Sequence, residues 1–200
     1  MTTSHPFLKS GILWFISGLL YVSASVFLND RTLYAFLGLS ATLLLALSLR
    51  GVYRFMGQDA KERPLTVGIW AFVIGIPFLF AIYGLAYLEA VNAISPDTAE
   101  IANTIAILVG STLTYGVGPA LVSYSGLRHN LVPRWISWAG LIGGLFGLLW
   151  IGWVWLIPPS SILVFLPSVL LTYIWQLALG VVLMRFKETV HASIAGEPGV

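Results

Sequence analysis

Residues 135–184 run for 50 positions without one Asp, Glu, Lys or Arg. No helix of a water-soluble domain can be so uniformly apolar, because one face has to meet solvent. A bilayer core about 30 Å thick takes roughly 20 residues of helix, so the run is too long for a single crossing. Pro158-Pro159-Ser160-Ser161 divides it, since two prolines followed by two serines end one helix and start another. Four further charge-free runs cover 10–29, 32–49, 64–88 and 101–127. Together they predict six transmembrane helices near 10–28, 32–49, 65–88, 101–125, 135–157 and 162–184, all in one domain over 1–200. The fold class is an all-α polytopic membrane bundle. Backbone amides have no water to bond in lipid, which requires helices or a closed barrel. Uninterrupted stretches such as LIGGLFGLLWIGWVWLI lack the alternating polarity of a barrel strand. Composition agrees: 58% of residues are hydrophobic and 9% charged, against about a quarter charged in soluble domains.

Lys and Arg stay on the cytoplasmic side of short loops. Segments 1–9, 50–64, 126–134 and 185–200 alternate onto one side and hold nine of the ten basic residues, leaving Arg31 alone opposite. Both termini are therefore expected on the cytoplasmic side of the membrane. Trp135 and Trp138, after Arg134, and Trp150, Trp153 and Trp155 at the other end of span five occupy the two headgroup depths that indole rings prefer. The first span exceeds the usual 7–15-residue core of a secretory signal and is expected to be retained. With ten basic and eight acidic residues, the charge balance gives no reason to expect a nucleic-acid partner.

The loop EAVNAISPDTAE, 89–100, is the one sizeable acidic segment of the opposite side. Asp97 and Glu100 have capping-box spacing, with Ser95 or Asp97 as N-cap and Pro96 near the first turn. This marks the start of span four; a cation site from Glu89, Asp97 and Glu100 is the less economical reading.

Polar residues recur at helical spacing inside the spans. Ser17, Tyr21, Ser25 and Asn29 are four apart on span one, as are Ser168, Thr172 and Gln176 on span six. Tyr83 and Tyr87 pair on span three, and Asn103, Thr104, Ser111, Thr114 and Tyr115 give span four an uneven polar side. Positions three or four apart share a helix face, and such faces are costly against lipid tails, so they should point inward. The default reading is that they hydrogen-bond neighbouring helices and hold the bundle together. The sharper reading is that spans one, three, four and six enclose a ligand cavity. It makes Ser17, Tyr21, Ser25, Tyr83, Tyr87, Asn103, Ser168, Thr172 and Gln176 candidate binding residues. Gln176 and Asn103 lead, because a buried amide needs several partners at once.

Ala102, Ala106 and Gly110, and the overlapping pairs Gly140–Gly144 and Gly143–Gly147, permit close backbone approach, within the chain or between subunits. Pro77, Pro119 and Pro167 are candidate kinks, and YGVGPA, 115–120, is a candidate break in span four.

Several chemistries have no residues to perform them. The chain has no cysteine, and its histidines, His5, His129 and His191, all fall in loops, so haem between helices is not expected. No lysine lies at membrane depth for a Schiff base, no His/Glu/Asp cluster has zinc spacing, and no phosphate-binding loop appears. No cofactor, metal site or catalytic residue is predicted, and the balance leans away from an enzyme.

SYSGLRHNLVPRWISWAGLIGGL, 123–145, WQLALGVVLMRF, 175–186, and SGLLY, 17–21, resemble an uncharacterised bacterial family of six-span membrane proteins, domain-of-unknown-function family 4386. The resemblance covers about half the chain, mainly its second half. It implies a bacterial cytoplasmic-membrane protein and carries over no site residues. The function expected is a bundle that binds or transports a small molecule or lipid through a polar intramembrane cavity. The alternative is a non-catalytic accessory or regulatory subunit that assembles with itself or a membrane partner.

Overall fold

A computed structural model describes residues 3–4, 6–57, 63–156, 161–186 and 188–189, with side chains over 6–57, 63–95, 97, 102–149 and 166–186. The described residues are almost wholly helical: α1 (Leu8–Val26), α2 (Arg31–Met56), α3 (Arg63–Ala90), α4 (Pro96–Ser111), α5 (Gly118–His129), α6 (Arg134–Leu156) and α7 (Ser161–Arg185). A π-helical turn, Thr112–Val117, joins α4 to α5, so that Ala102–His129 forms one continuous rod.

Five stretches among the described residues are long and apolar enough to cross a membrane: Leu8–Val26, Arg31–Met56, Arg63–Ala90, Ala102–His129 and Leu166–Arg185. Helix α6 has 23 residues, of which Arg134–Leu149 counts as a shorter apolar helix. The Pro158–Ser160 break and the side chains of Trp150, Trp153 and Trp155 lie outside the described residues. The protein is a membrane-embedded helical bundle.

Helix ends follow local chemistry. Asp30 caps α2, its carboxylate accepting from the Leu33 N–H at 3.0 Å. Helix α3 closes in a Schellman motif, with Asn92 at φ 56°, Ala93 N–H bonding to Leu88 O at 2.8 Å and Asn92 N–H to Glu89 O at 3.0 Å. Asn130, at φ 53°, caps α5. Pro96 is the first residue of α4, which puts Ser95 in the N-cap position. Two spans differ from the sequence expectation by more than two residues. Helix α2 continues to Met56 rather than stopping at 49, because charge does not end a helix; Arg50 and Arg54 can extend to the headgroups, and Arg54 opposes the helix dipole in the last turn. The fourth rod runs over 96–129 rather than 101–125, for the same reason.

Each rod packs against the next in sequence, and α7 closes the ring on α1. The basic end of the bundle is drawn together by Phe7, Phe55 and Phe186, whose ring centroids are 5.2–5.6 Å apart in edge-to-face contacts. Beyond the helices, Thr3–Ser4 pairs antiparallel with Glu188–Thr189, so the first and last segments meet at this end. Trp135 and Trp138, at the start of α6, are 59% and 51% exposed, facing outward.

The glycine pairs of α6 are used within the chain. A Cβ on Gly143 would lie 3.0 Å from Leu171 of α7, and one on Gly144 would lie 2.6 Å from both Ala120 N and Gly116 O. One on Gly147 would meet the Tyr115 carbonyl oxygen at 2.5 Å. YGVGPA is accordingly neither a break nor a plain proline kink. Pro119 has no N–H to offer the Tyr115 carbonyl, and the turn widens so that Gly118 N–H bonds to Leu113 O, five residues back. The bare α6 glycines let that widened turn sit against the bundle.

Candidate functional site: a tyrosine-lined cavity

Phe7, the residue that precedes α1, and Trp14 and Tyr21 on it are seven apart and so fall along one side, roughly 10 Å between successive rings. Each belongs to a different aromatic layer. Phe7 joins the phenylalanine cluster at the basic end. Trp14 is fully buried at mid-depth, 5.7 Å from Trp175 and 5.9 Å from Phe72. Tyr21 enters a tyrosine cluster at the far end, 6.3 Å from Tyr173 in a stack and 6.1 Å from Tyr83. Tyr34 lies 5.2 Å from Tyr83, and Tyr115 lies 6.1 Å from Tyr173. Gly38 leaves space for the Tyr83 ring, which a side chain there would overlap.

The far end is also where the ring of helices is least closed. Among the described residues α4 packs mainly against α3 and the π turn, whereas α5 packs against α3 and α6, and the π turn itself touches α3, α6 and α7. Between α4 and α7 lies a cavity of about 530 Å³. Its walls include Ser25, Tyr34, Tyr83, Asn103, Ser111, Tyr115 and Tyr173 among aliphatic side chains, with no charged residue among the described lining.

The hydroxyls around it are directional. Ser25 donates to Tyr21 O at 3.0 Å, so the Tyr173 hydroxyl is the donor in its 3.4 Å contact with Ser25. The hydroxyls of Tyr34, Tyr83, Tyr115 and Tyr173 lie near enough to act on one another electrostatically. Asn103 Oδ1 is shielded from solvent and has no partner. A buried amide end without a partner costs about 1–3 kcal/mol, so its place on a cavity wall needs a reason.

A second, closed chamber of about 10 Å³ lies one layer deeper, with Trp14, Tyr21, Thr114, Thr172 and Gln176 on its walls. It is large enough for one water molecule, and Trp14 Nε1 and Thr172 Oγ1 are unpartnered beside it.

The nine sequence candidates thus divide. Ser25, Tyr83 and Asn103 line the large cavity. Tyr21, Thr172 and Gln176 face the small chamber. Ser17 and Ser168 tie helices together, donating to Ala41 O at 2.8 Å and to Gly143 O at 2.9 Å. Gln176 extends the first tie, its amide reaching Ser17 Oγ at 3.2 Å and Trp14 O at 3.4 Å. Tyr21 donates to Thr42 Oγ1 at 2.9 Å, since the Thr42 proton is already given to Gly38 O at 2.7 Å. Tyr87 is 44% exposed and absent from the described lining. Tyr34 and Tyr173 do not belong to the polar stripes that the sequence offers; they join the cavity through contacts between helices. Aligning the spans by depth, rather than searching each for i, i+4 pairs, would have found them.

Glu89 is engaged by an ion pair with Arg31, and no group of three metal-ligating side chains occurs among the described residues. No protein-family model, no curated protein and no solved structure matches the chain.

Proposed function

We propose that the protein binds a small, uncharged and largely apolar molecule carrying a hydrogen-bonding head, in the cavity between α4 and α7. The unpartnered Oδ1 of Asn103, a residue on the wall of a 530 Å³ space, supports this reading above all. An O–H or N–H of the ligand would complete it, while the tyrosine faces and the leucines take the apolar body. A charged ligand is disfavoured, since the described lining offers no counter-ion and an unpaired charge at this depth is expensive. The glycine pairs, consumed inside the chain, lend no support to an accessory subunit.

The rest of the proposal is topological: six crossings, both termini in the cytoplasm, and a place in a bacterial cytoplasmic membrane. The charge distribution and the resemblance of 123–145 and 175–186 support it. Because the chain lacks native cysteine, one engineered at Asn130 reports the orientation, and an impermeant maleimide should not reach it from outside intact cells.

Binding is tested by thermal shift on detergent-purified protein with a long-chain alcohol, an alkylated quinone and a tetraalkylammonium salt. At a hundred times its dissociation constant a ligand should stabilise by about 2.7 kcal/mol. In Asn103→Leu, with binding about tenfold weaker, the stabilisation at the same ligand concentration should fall to about 1.4 kcal/mol. Stabilisation by the ammonium salt alone, or an undiminished shift in both Asn103→Leu and Tyr173→Phe, would reject the assignment.

A further inference from the structure

Away from the tyrosine cavity, a groove of about 550 Å³ lies at the basic end, where the start of α1 crosses the last turns of α2. Phe7 and Ser10 form one wall and Leu47, Arg50, Gly51 and Arg54 the other. Arg50 and Arg54 are four apart, so their guanidiniums project from one face of α2 within reach of a single anion. Both are exposed, and among the described residues neither has an acidic partner; Arg31 with Glu89 is the ion pair found there. The groove depends on close contact of its two helices, because any side chain at Gly51 would overlap Ser10. The arginines of the 126–134 hairpin differ. Arg134 Nε donates to Asn130 Oδ1 at 3.4 Å, and Arg128 is engaged as well.

The groove is polar at one end and apolar at the other. One turn before Arg50 is Leu47, 59% exposed, then Leu43, 51% exposed, running away from the arginines along the lipid-facing side of α2. Two guanidiniums favour a phosphate, which they bind with fork geometry and charge-assisted bonds. Exposed leucines beneath them match an acyl chain, and basic pockets between membrane helices are established headgroup sites.

We infer that the Arg50–Arg54 groove binds the phosphate of an anionic phospholipid, with the Ser10 hydroxyl as an additional donor and an acyl chain along Leu47 and Leu43. Native mass spectrometry of the detergent-purified protein with phosphatidylglycerol, phosphatidylcholine or inorganic phosphate tests this. Wild type should retain phosphatidylglycerol in preference to phosphatidylcholine. Arg50→Gln/Arg54→Gln should weaken that retention about tenfold, Arg50→Lys/Arg54→Lys should recover part of it, and Arg128→Gln should leave it unchanged. Excess inorganic phosphate that fails to displace the lipid identifies the acyl chain as part of the ligand; complete displacement by it would assign the site to free phosphate and overturn the lipid. Equal losses in the double Gln variant and Arg128→Gln would mean a diffuse charge effect and no site. Circular dichroism and the thermal midpoint of each variant exclude misfolding as the cause.

Discussion

The Phe7–Phe55–Phe186 cluster and the tyrosine cluster stand at opposite ends of one face of α1, and they solve different packing problems. Phenylalanine rings have no polar atom to satisfy, so three helix ends can close on them edge to face without leaving a group unpaired. Tyrosine rings bring hydroxyls that need partners at membrane depth. Their hydroxyls sit around the wall of a cavity rather than across a filled core. The helices differ in the same way. At the basic end α1, α2 and α7 converge, whereas at the far end α4, the part of its rod before the π turn, packs mainly on α3. A widened turn in one rod therefore separates a closed half from an open one.

The difference is sharpest in stability. Phe55→Ala should cost on the order of 2–4 kcal/mol in denaturant unfolding of the micelle-embedded protein. Lost packing contacts carry most of that cost, since lipid tails are themselves apolar. An effect below that range would mean that the basic end is not the closed half. Next comes Gly144→Val, whose side chain would push α6 off the π turn, at about 1–3 kcal/mol. Because the turn holds Tyr115 on the cavity wall, this variant should also lose any ligand-induced thermal shift. Gln176→Leu removes the link from α7 through Ser17 to α2, and should cost about 1 kcal/mol by the same measurement. It should leave the ligand shift intact, because Gln176 is not part of the described lining of the large cavity; loss of the shift there would move the site to the deeper chamber. Smallest in stability is Asn103→Leu, expected to be neutral or to stabilise by up to about 1 kcal/mol, since it deletes a buried group without a partner. In ligand titrations it should weaken binding about tenfold, the worth of one hydrogen bond at this level.

Much of the helical layout could be read directly. Helix starts at Arg31, Arg63 and Arg134 coincide with or adjoin the charges that bound the apolar runs, and Pro96 opens α4 where Pro and capping-box residues indicated. The polar stripes point inward at Ser17, Tyr21, Tyr83, Ser168, Thr172 and Gln176, whereas Ser25, Asn29, Tyr87 and Thr104 are exposed. Their division into helix ties and cavity wall was not legible, because Ser17 and Ser25 lie on the same stripe of α1. Ser17 faces an α2 carbonyl, and Ser25 a gap between rods. Tyr34 and Tyr173 escaped for a related reason: they join the site by depth, through contacts between helices, and depth leaves no mark on the periodicity of a single span. The 7–14–21 aromatic spacing of α1 was present in the chain, but its meaning depends on which neighbours meet each ring.

Taken alone, the amino-acid order determined a lipid-embedded helical protein, the approximate length of its rods and the clustering of positive charge at one set of turns. Hydrophobic burial in a bilayer and backbone hydrogen bonding act on each segment independently, and so they can be read from local pattern. Tertiary structure alone decided that YGVGPA becomes a π turn, that the α6 glycines receive it, and that α4 then parts from α7 to leave a tyrosine-walled space. Those outcomes depend on the fit between helices far apart in the chain, where a missing Cβ on one sets how closely the backbone of another can approach.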